Sequence, residues 1–206
     1  MIIGITGGTG CGKTTLLDAI QQAGGMILDC DAIYHQLLKN DAQLLQTIEN
    51  RFPGVVENGQ LQRKKLGQIV FADENALQDL NRITHGAVKE EVIRRIQSAE
   101  SVHGADESAP YEGDSQLIAI DAYALFDSGL SKLCKLTVAV TAPISARVQR
   151  ITARDGISAE YALARIQAQK SNEEFSALCD YTLDNHGTLE DFQGKCLAFL
   201  REIGIM

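Results

Sequence analysis

The chain has 206 residues, of which 45% are hydrophobic and 22% charged, with a formal net charge of −8. That length suits one main fold with insertions and supplies enough apolar material for a core. The acidic balance argues against a nucleic-acid partner, and no apolar run is long enough to cross a bilayer, so no membrane partner is expected.

The five cysteines, Cys11, Cys30, Cys134, Cys179 and Cys196, are scattered, with no CxxC pair and no neighbouring histidine at zinc spacing. They read as reduced thiols. Met1 leads straight into "IIGIT" without the basic and apolar regions of a secretory signal, which makes the cytoplasm the expected location. No obligate protein partner is evident.

"IIGIT" is a β-branched run that predicts a strand ending at Gly7, and "KTTLLDAIQQAG" predicts a helix stopped by Gly24. Between them Gly7, Gly12, Lys13 and Thr14 satisfy G-x-x-x-x-G-K-[ST], in the strand–loop–helix context that this motif needs. Such a loop holds phosphates: glycines let its N–H groups curl inward, and the following helix adds free amides and a favourable dipole. Gly8, Thr9, Gly10, Cys11, Gly12, Lys13, Thr14 and Thr15 are therefore candidate nucleotide contacts. Lys13 would reach the β- and γ-phosphates of ATP, and the Thr14 hydroxyl would ligate Mg²⁺. The loop does not by itself separate a kinase from a GTPase or a motor. Cys11, inside the ring of amides, either is an ordinary small residue filling the loop or has a lowered thiol pKa and is alkylated unless ATP is bound.

"GMILDCD" (25–31) predicts a second strand ending in Asp29 and Asp31. Both carboxylates face one site if the strand continues, and only one does if the chain is already turning; Asp31 could also cap the helix that follows. From 32 to 103 four segments look helical, with "AQLLQTIENRF", "RKKLGQIVF", "NALQDLNRITH" and "AVKEEVIRRIQSAESV" as their cores and "PGVVENGQL" as a loop. "HGADESAPYEGDSQ" (103–116) reads as an exposed acidic loop. "LIAIDA" (117–122), "KLTVAVT" (135–141) and "YTLDN" (181–185) complete five strands, with Asp121 either a metal partner or a surface or capping residue.

Between the last two strands Arg147, Arg150 and Arg154 share one helix face before an "RDG" turn, and Arg165 follows it. They form either a solvated basic face or a lid that closes over phosphates. "TLEDFQGKCLAFLREIG" predicts a packing helix with Leu189, Phe192, Cys196, Phe199, Leu200 and Ile203 on its apolar stripe. The expected fold is α/β, a three-layer P-loop NTPase fold with a five-stranded parallel sheet, a helical substrate-binding insertion and a helical lid. Its core would be 1–31, 116–142 and 171–206, its acceptor-binding insertion 32–115 and its lid 143–170.

Taken in order, these stretches resemble the dephospho-CoA kinase family nearly end to end. The opening is similar to "TGGxGxGK[ST]", "LDCDAI" to "hDADxI", "NGQLQRKKLGQIVF" to "dGxLdRxxLrxxVF", and "LNRITH" to "Lnxi.HP". "AYALFDSGL" is similar to "PLLFExgL", and "RVQRITARDGIS", "RIQAQKSNEEF" and "CDYTLDNHGT" follow "QxxRlxxRdg…RixsQ…aDxvIxNxG". The resemblance implies transfer of the γ-phosphoryl of ATP to the ribose 3′-hydroxyl of dephospho-CoA, with Mg²⁺. It puts Asp31 at the catalytic base, His85 and Asp127 at acceptor-binding positions, and Arg150 and Arg154 at the lid arginines. Asn185 and Gly187 fall on a loop bordering the adenine. Tyr123 replaces the family's usual proline, Asp127 a glutamate, Gly86 a proline and His35 a common arginine, all on the acceptor side. A kinase for another nucleoside- or nucleotide-like acceptor and a catalytically silent ATP-binding regulator stand as alternatives.

Overall fold

Ile3 and Ile5 of β1 (Ile2–Thr6) are fully buried on one side of a sheet, while Gly4 between them lies against Leu125 and Cys134 on the other. The computed structural model describes residues 1–103 and 116–206, so the expected loop over 103–116 lies almost wholly outside the described residues. After β1 come α1 (Lys13–Gln22), β2 (Met26–Asp29), α2 (Cys30–Asn40), α3 (Ala42–Arg51), β3 (Val56–Glu57), β4 (Gln60–Leu61), α4 (Arg63–Ala72) and α5 (Glu74–His103). Then follow β5 (Ile118–Asp121), a 3₁₀ turn (Leu130–Leu133), β6 (Leu136–Thr141), α6 (Ile144–Asp155), α7 (Ala159–Gln167), α8 (Asn172–Leu178), β7 (Tyr181–Asp184) and α9 (Leu189–Glu202).

The five long strands form a parallel sheet in the order β2-β5-β1-β6-β7, as expected. β1 is central, and its neighbours on the two sides come from much later in the chain. In open sheets of this kind ligands bind where the strand order switches, outside the carboxyl edge. Register brings Thr6, Asp121, Thr141 and Asp184 to that edge. One face is sealed by α1 and α9, with Leu16, Ile20, Phe192, Cys196, Phe199 and Leu200 packed on Ile3, Ile5, Val138 and Val140. Leu189, placed on the apolar stripe by spacing, is 59% exposed instead, because it is the first residue of α9 and lies beyond the sheet-facing turn.

The chain divides into two compact units, which among described residues are 1–28 with 116–206, and 29–103. The second has its own core of Leu44, Leu45, Ile48, Phe52, Leu66 and Val70. Three further features differ from the sequence expectation. The strand ends at Asp29, whose carboxylate accepts from Ala32 N at 2.9 Å, so Asp29 is the cap and Asp31 lies inside the first turn of α2. The expected loop "PGVVENGQL" contains the β3–β4 hairpin, with Asn58 and Gly59 both at positive φ (52° and 72°), the geometry that an Asn-Gly two-residue turn favours. The last two expected helices are one, α5, about 45 Å long at 1.5 Å per residue. Gly86 does not break it, because the buried stripe of Ala76, Thr84, Val88, Val92 and Ile96 keeps its spacing past that point.

No helix among the described residues is long and apolar enough to cross a membrane. On α5, Glu91 accepts from Arg94 Nε and Nη2 and from Arg95 Nε, each at 2.7 Å, and Arg95 also reaches Gln36 of α2. The Arg94 hydrogen bond, with Arg95 adding to it, holds the Glu91 carboxyl down from 4.5 to about 2. A carboxyl depressed in the folded state stabilises it above its unfolded pKa and loses that contribution as pH falls through the folded value. The urea midpoint of Glu91→Gln should therefore lie below that of the parent at pH 7, with the gap narrowing below pH 4.5 and closing near pH 2; a gap independent of pH would exclude the ion pair as its source.

Candidate active site

The loop after β1 is shaped by glycines at positions that no other residue fits. Gly7 has φ 142°, and a Cβ there would stand 2.2 Å from the Val140 carbonyl oxygen. Gly12, at φ 101°, is the N-cap of α1, and a Cβ on it would meet Asn185 Nδ2 at 2.3 Å. Both are in the left-handed or strained half of backbone space that glycine enters without steric cost.

The carbonyls of this loop are tied down on one side. Arg147 Nε donates to Thr9 O at 2.9 Å, and Arg150 Nη1 donates to Gly10 O and Cys11 O at 3.2 and 3.3 Å. Asn185 Nδ2 donates to Cys11 O at 2.9 Å, and its Oδ1 accepts from Arg150 Nη2 at 3.2 Å. Gln169 Oε1 accepts from both Thr9 N and Arg147 Nη2 at 2.9 Å. In a trans peptide the N–H points opposite to the C=O. Holding the carbonyls of Thr9 and Cys11 therefore turns the amides of Gly10 and Gly12 to the other side, toward an anion.

Lys13 Nζ donates to Gly7 O at 3.2 Å and stands 3.9 Å from Asp121 Oδ1. Thr14 is exposed in the first turn of α1 and Thr15 is half-buried behind it. Among the described residues no group of three or more His, Cys, Asp or Glu side chains gathers as a metal site. Thr14 and the strand-end Asp121 are oxygen donors, which fits a hard cation such as Mg²⁺ that completes its shell with phosphate oxygens and water.

The other expected site residues divide between the two units. In the first, Asn185 is 5% exposed and belongs to the loop network, while Gly187 is exposed, and a Cβ on it would meet Asp191 Oδ2 at 2.7 Å. Arg154 is exposed and paired with Asp155, which also receives Arg165. The Arg154 hydrogen bond, helped by Arg165, holds the Asp155 carboxyl at about 2. Asp127 pairs with Lys170 at 2.6 Å, and Tyr123, the departure beside it, takes the Lys170 N–H on its hydroxyl at 3.3 Å and packs edge-on against Phe175. In the second unit, Asp31 is exposed on α2 and His85 half-buried on α5. His35 faces Arg63 at 3.3 Å in an open groove of about 630 Å³ that Lys39 and Asn40 also line.

Sequence reasoning leaves Arg147 between a solvated basic face and a phosphate lid and does not name Gln169; instead Arg147 is buried, and both hold the loop. The signal was present in the three-residue step from Arg147 to Arg150, which puts both guanidiniums on one face of α6. Of the two readings of Cys11, the lowered pKa is overturned. The thiol is 1% exposed within the core beneath the loop, and burial pushes its pKa up, outweighing the lowering by Lys13. Under native conditions at pH 8, iodoacetamide should thus label Cys11 at the same negligible rate with and without ATP, and label it fully after denaturation; rapid native labelling read by mass spectrometry would contradict the burial.

A parallel sheet switched at its central strand, with a G-x-x-x-x-G-K-T loop at that strand's carboxyl end, is the architecture of a P-loop nucleotide-binding protein. A model of the family described as dephospho-CoA kinase matches residues 1–191. A dephospho-CoA kinase of Carboxydothermus hydrogenoformans is 34% identical over 203 residues, covering 98% of this chain and 93% of the relative. One from Bacillus licheniformis is 32% identical over 197 residues, covering 95% and 92%. A crystal structure of a Thermus thermophilus protein is 33% identical with a TM-score of 0.73, covering 98% of this chain and 97% of the other. The chain belongs to the dephospho-CoA kinase family and is a transferase of the P-loop kinase class.

Proposed function

We propose that this chain transfers the γ-phosphoryl group of ATP to the ribose 3′-hydroxyl of dephospho-CoA, giving CoA and ADP, the last step in making coenzyme A. The observation that carries this reading is the phosphate loop: amides of Gly10 and Gly12 turned away from tethered carbonyls, with Lys13 at its end, in a chain of this family. Its working compartment in this reading is the cytoplasm.

The loop from Gly8 to Thr15 binds the triphosphate, and Lys13 places a mobile charge on its β- and γ-oxygens. Mg²⁺, held by Thr14 with Asp121 beside it, would neutralise phosphate charge. Residues 32–115 take the acceptor, with His85 and Asp127 among the groups that position it, and Asn185 and Gly187 border the adenine. Asp31 accepts the hydrogen bond of the 3′-hydroxyl and aims its oxygen at the γ-phosphorus. The new O–P bond forms as the bond to the β,γ-bridging oxygen breaks, its electron pair leaves with ADP, and the hydroxyl proton passes to Asp31. A carboxylate is a weak base for an alcohol, but a loose transition state needs aim more than early deprotonation. Arg154 exchanges Asp155 for phosphate to neutralise the group in flight and exclude water as α6 and α7 close, while Arg150 acts from behind the loop by holding the Gly10 and Cys11 carbonyls.

The test is a coupled assay of ADP release from Mg-ATP with dephospho-CoA, run beside adenosine, AMP and no acceptor, with product masses measured. Formation of CoA is the expected result. Phosphorylation of another acceptor would keep the kinase and replace its substrate, and ATP binding without transfer would mark a silent nucleotide-binding protein. Asp31→Asn should lower kcat by about 100-fold or more while ATP still binds, as expected for loss of a proton-accepting group. Lys13→Ala should lower kcat/KM by about 100-fold, on the scale of losing one electrostatic contact to the transition state, with an unchanged far-UV spectrum.

A further inference from the structure

A buried cation stands behind the phosphate loop, and the mechanism above gives it no task. Arg147 of α6 is 2% exposed, and none of the ion pairs among the described residues includes it. Its two hydrogen bonds go to neutral oxygens, Thr9 O and Gln169 Oε1. The guanidinium lies so close to the loop that a Cβ on Gly8 would fall 2.2 Å from its Nη2. Burial pushes the pKa of Arg147 below its ordinary value.

Burying a charge without a counter-charge is costly, and a neutral amide could serve the same two acceptors at less expense of solvation. The cost is offset if an anion arrives on the other side of the same backbone, where little water screens the interaction. We propose that Arg147 is a positioning residue with two effects on the phosphate loop: it fixes the Thr9 peptide through a hydrogen bond, and its fixed positive charge strengthens polyphosphate binding without touching the phosphates. Gln169 is its partner, holding the guanidinium and the Thr9 amide on one oxygen. This rests on the reading of the loop as the triphosphate site.

Gln169→Glu tests the charge while leaving the geometry in place. A carboxylate accepts from both Thr9 N and Arg147 Nη2 as the amide oxygen does, but it neutralises the guanidinium. Binding of inorganic tripolyphosphate and of adenosine to the full chain would be measured by calorimetry for the parent, Gln169→Glu, Arg147→Gln and Arg147→Lys, with thermal midpoints recorded. Gln169→Glu and Arg147→Gln should each weaken tripolyphosphate by about tenfold, equivalent to about 1.4 kcal/mol, and leave adenosine unchanged. Arg147→Lys, which keeps the charge, should recover most of the loss seen in Arg147→Gln. A folded Gln169→Glu protein that binds tripolyphosphate like the parent overturns the proposal, and so does equal weakening of adenosine and tripolyphosphate, which marks a purely structural residue. A parent protein that binds no tripolyphosphate removes the reading of the loop itself, and is told apart from the other outcomes by needing no variant.

Discussion

A backbone that surrounds an anion with N–H groups must send its carbonyls somewhere else, and in this protein that requirement organises the first unit. Each trans peptide offers one donor and one acceptor on opposite sides. The amides of the loop are available to phosphate because Arg147, Arg150 and Asn185 engage its carbonyls from behind. Those three residues come from α6 and from the segment after β7, so the binding loop is finished by elements that follow it by more than a hundred residues.

The sheet delivers these elements to one place. β6 lies directly beside β1, and β7 beside β6, so the helices and loops leaving their carboxyl ends flank the loop that leaves β1. Packing then limits freedom: Phe192 and Cys196 of α9 press on the core under the loop, and Cys11 joins that core with its side chain. The loop is thus held by hydrogen bonds at its carbonyls and by apolar burial at Cys11. Both constraints are made by the protein's own groups, which reduces the ordering that phosphate binding would otherwise require.

What the sequence revealed follows from how local each feature is. The phosphate loop, five strands, the helices α3 and α4 and the apolar stripe of α9 depend on short-range patterns and were readable. The Asn58-Gly59 hairpin reads in the sequence only as a loop: the pair is a specific turn signal, but a two-residue strand on either side leaves too little alternation to show a period. The sequence offers Asp31 as a cap and the structure uses Asp29, a decision that turns on one residue at an element boundary. The Arg147 contact with Thr9 spans 138 positions, beyond any local pattern. The Cys11 thiol went the other way for a similar reason: nearby amides argue for a lower pKa, but distant residues of the core bury it, and burial dominates.

The order of strands in the sheet also bears on how the chain is made. β1 leaves the ribosome long before either neighbour, for β5 begins at Ile118 and β6 at Leu136. At typical synthesis rates this gap is roughly ten seconds. In that interval the core of the second unit, whose contacts all lie within 29–103, is available to form by itself, while Ile3 and Ile5 have no sheet to join. During that interval the same apolar strand that later anchors the phosphate loop lacks both of its sheet neighbours, the condition in which an unpaired strand edge favours aggregation.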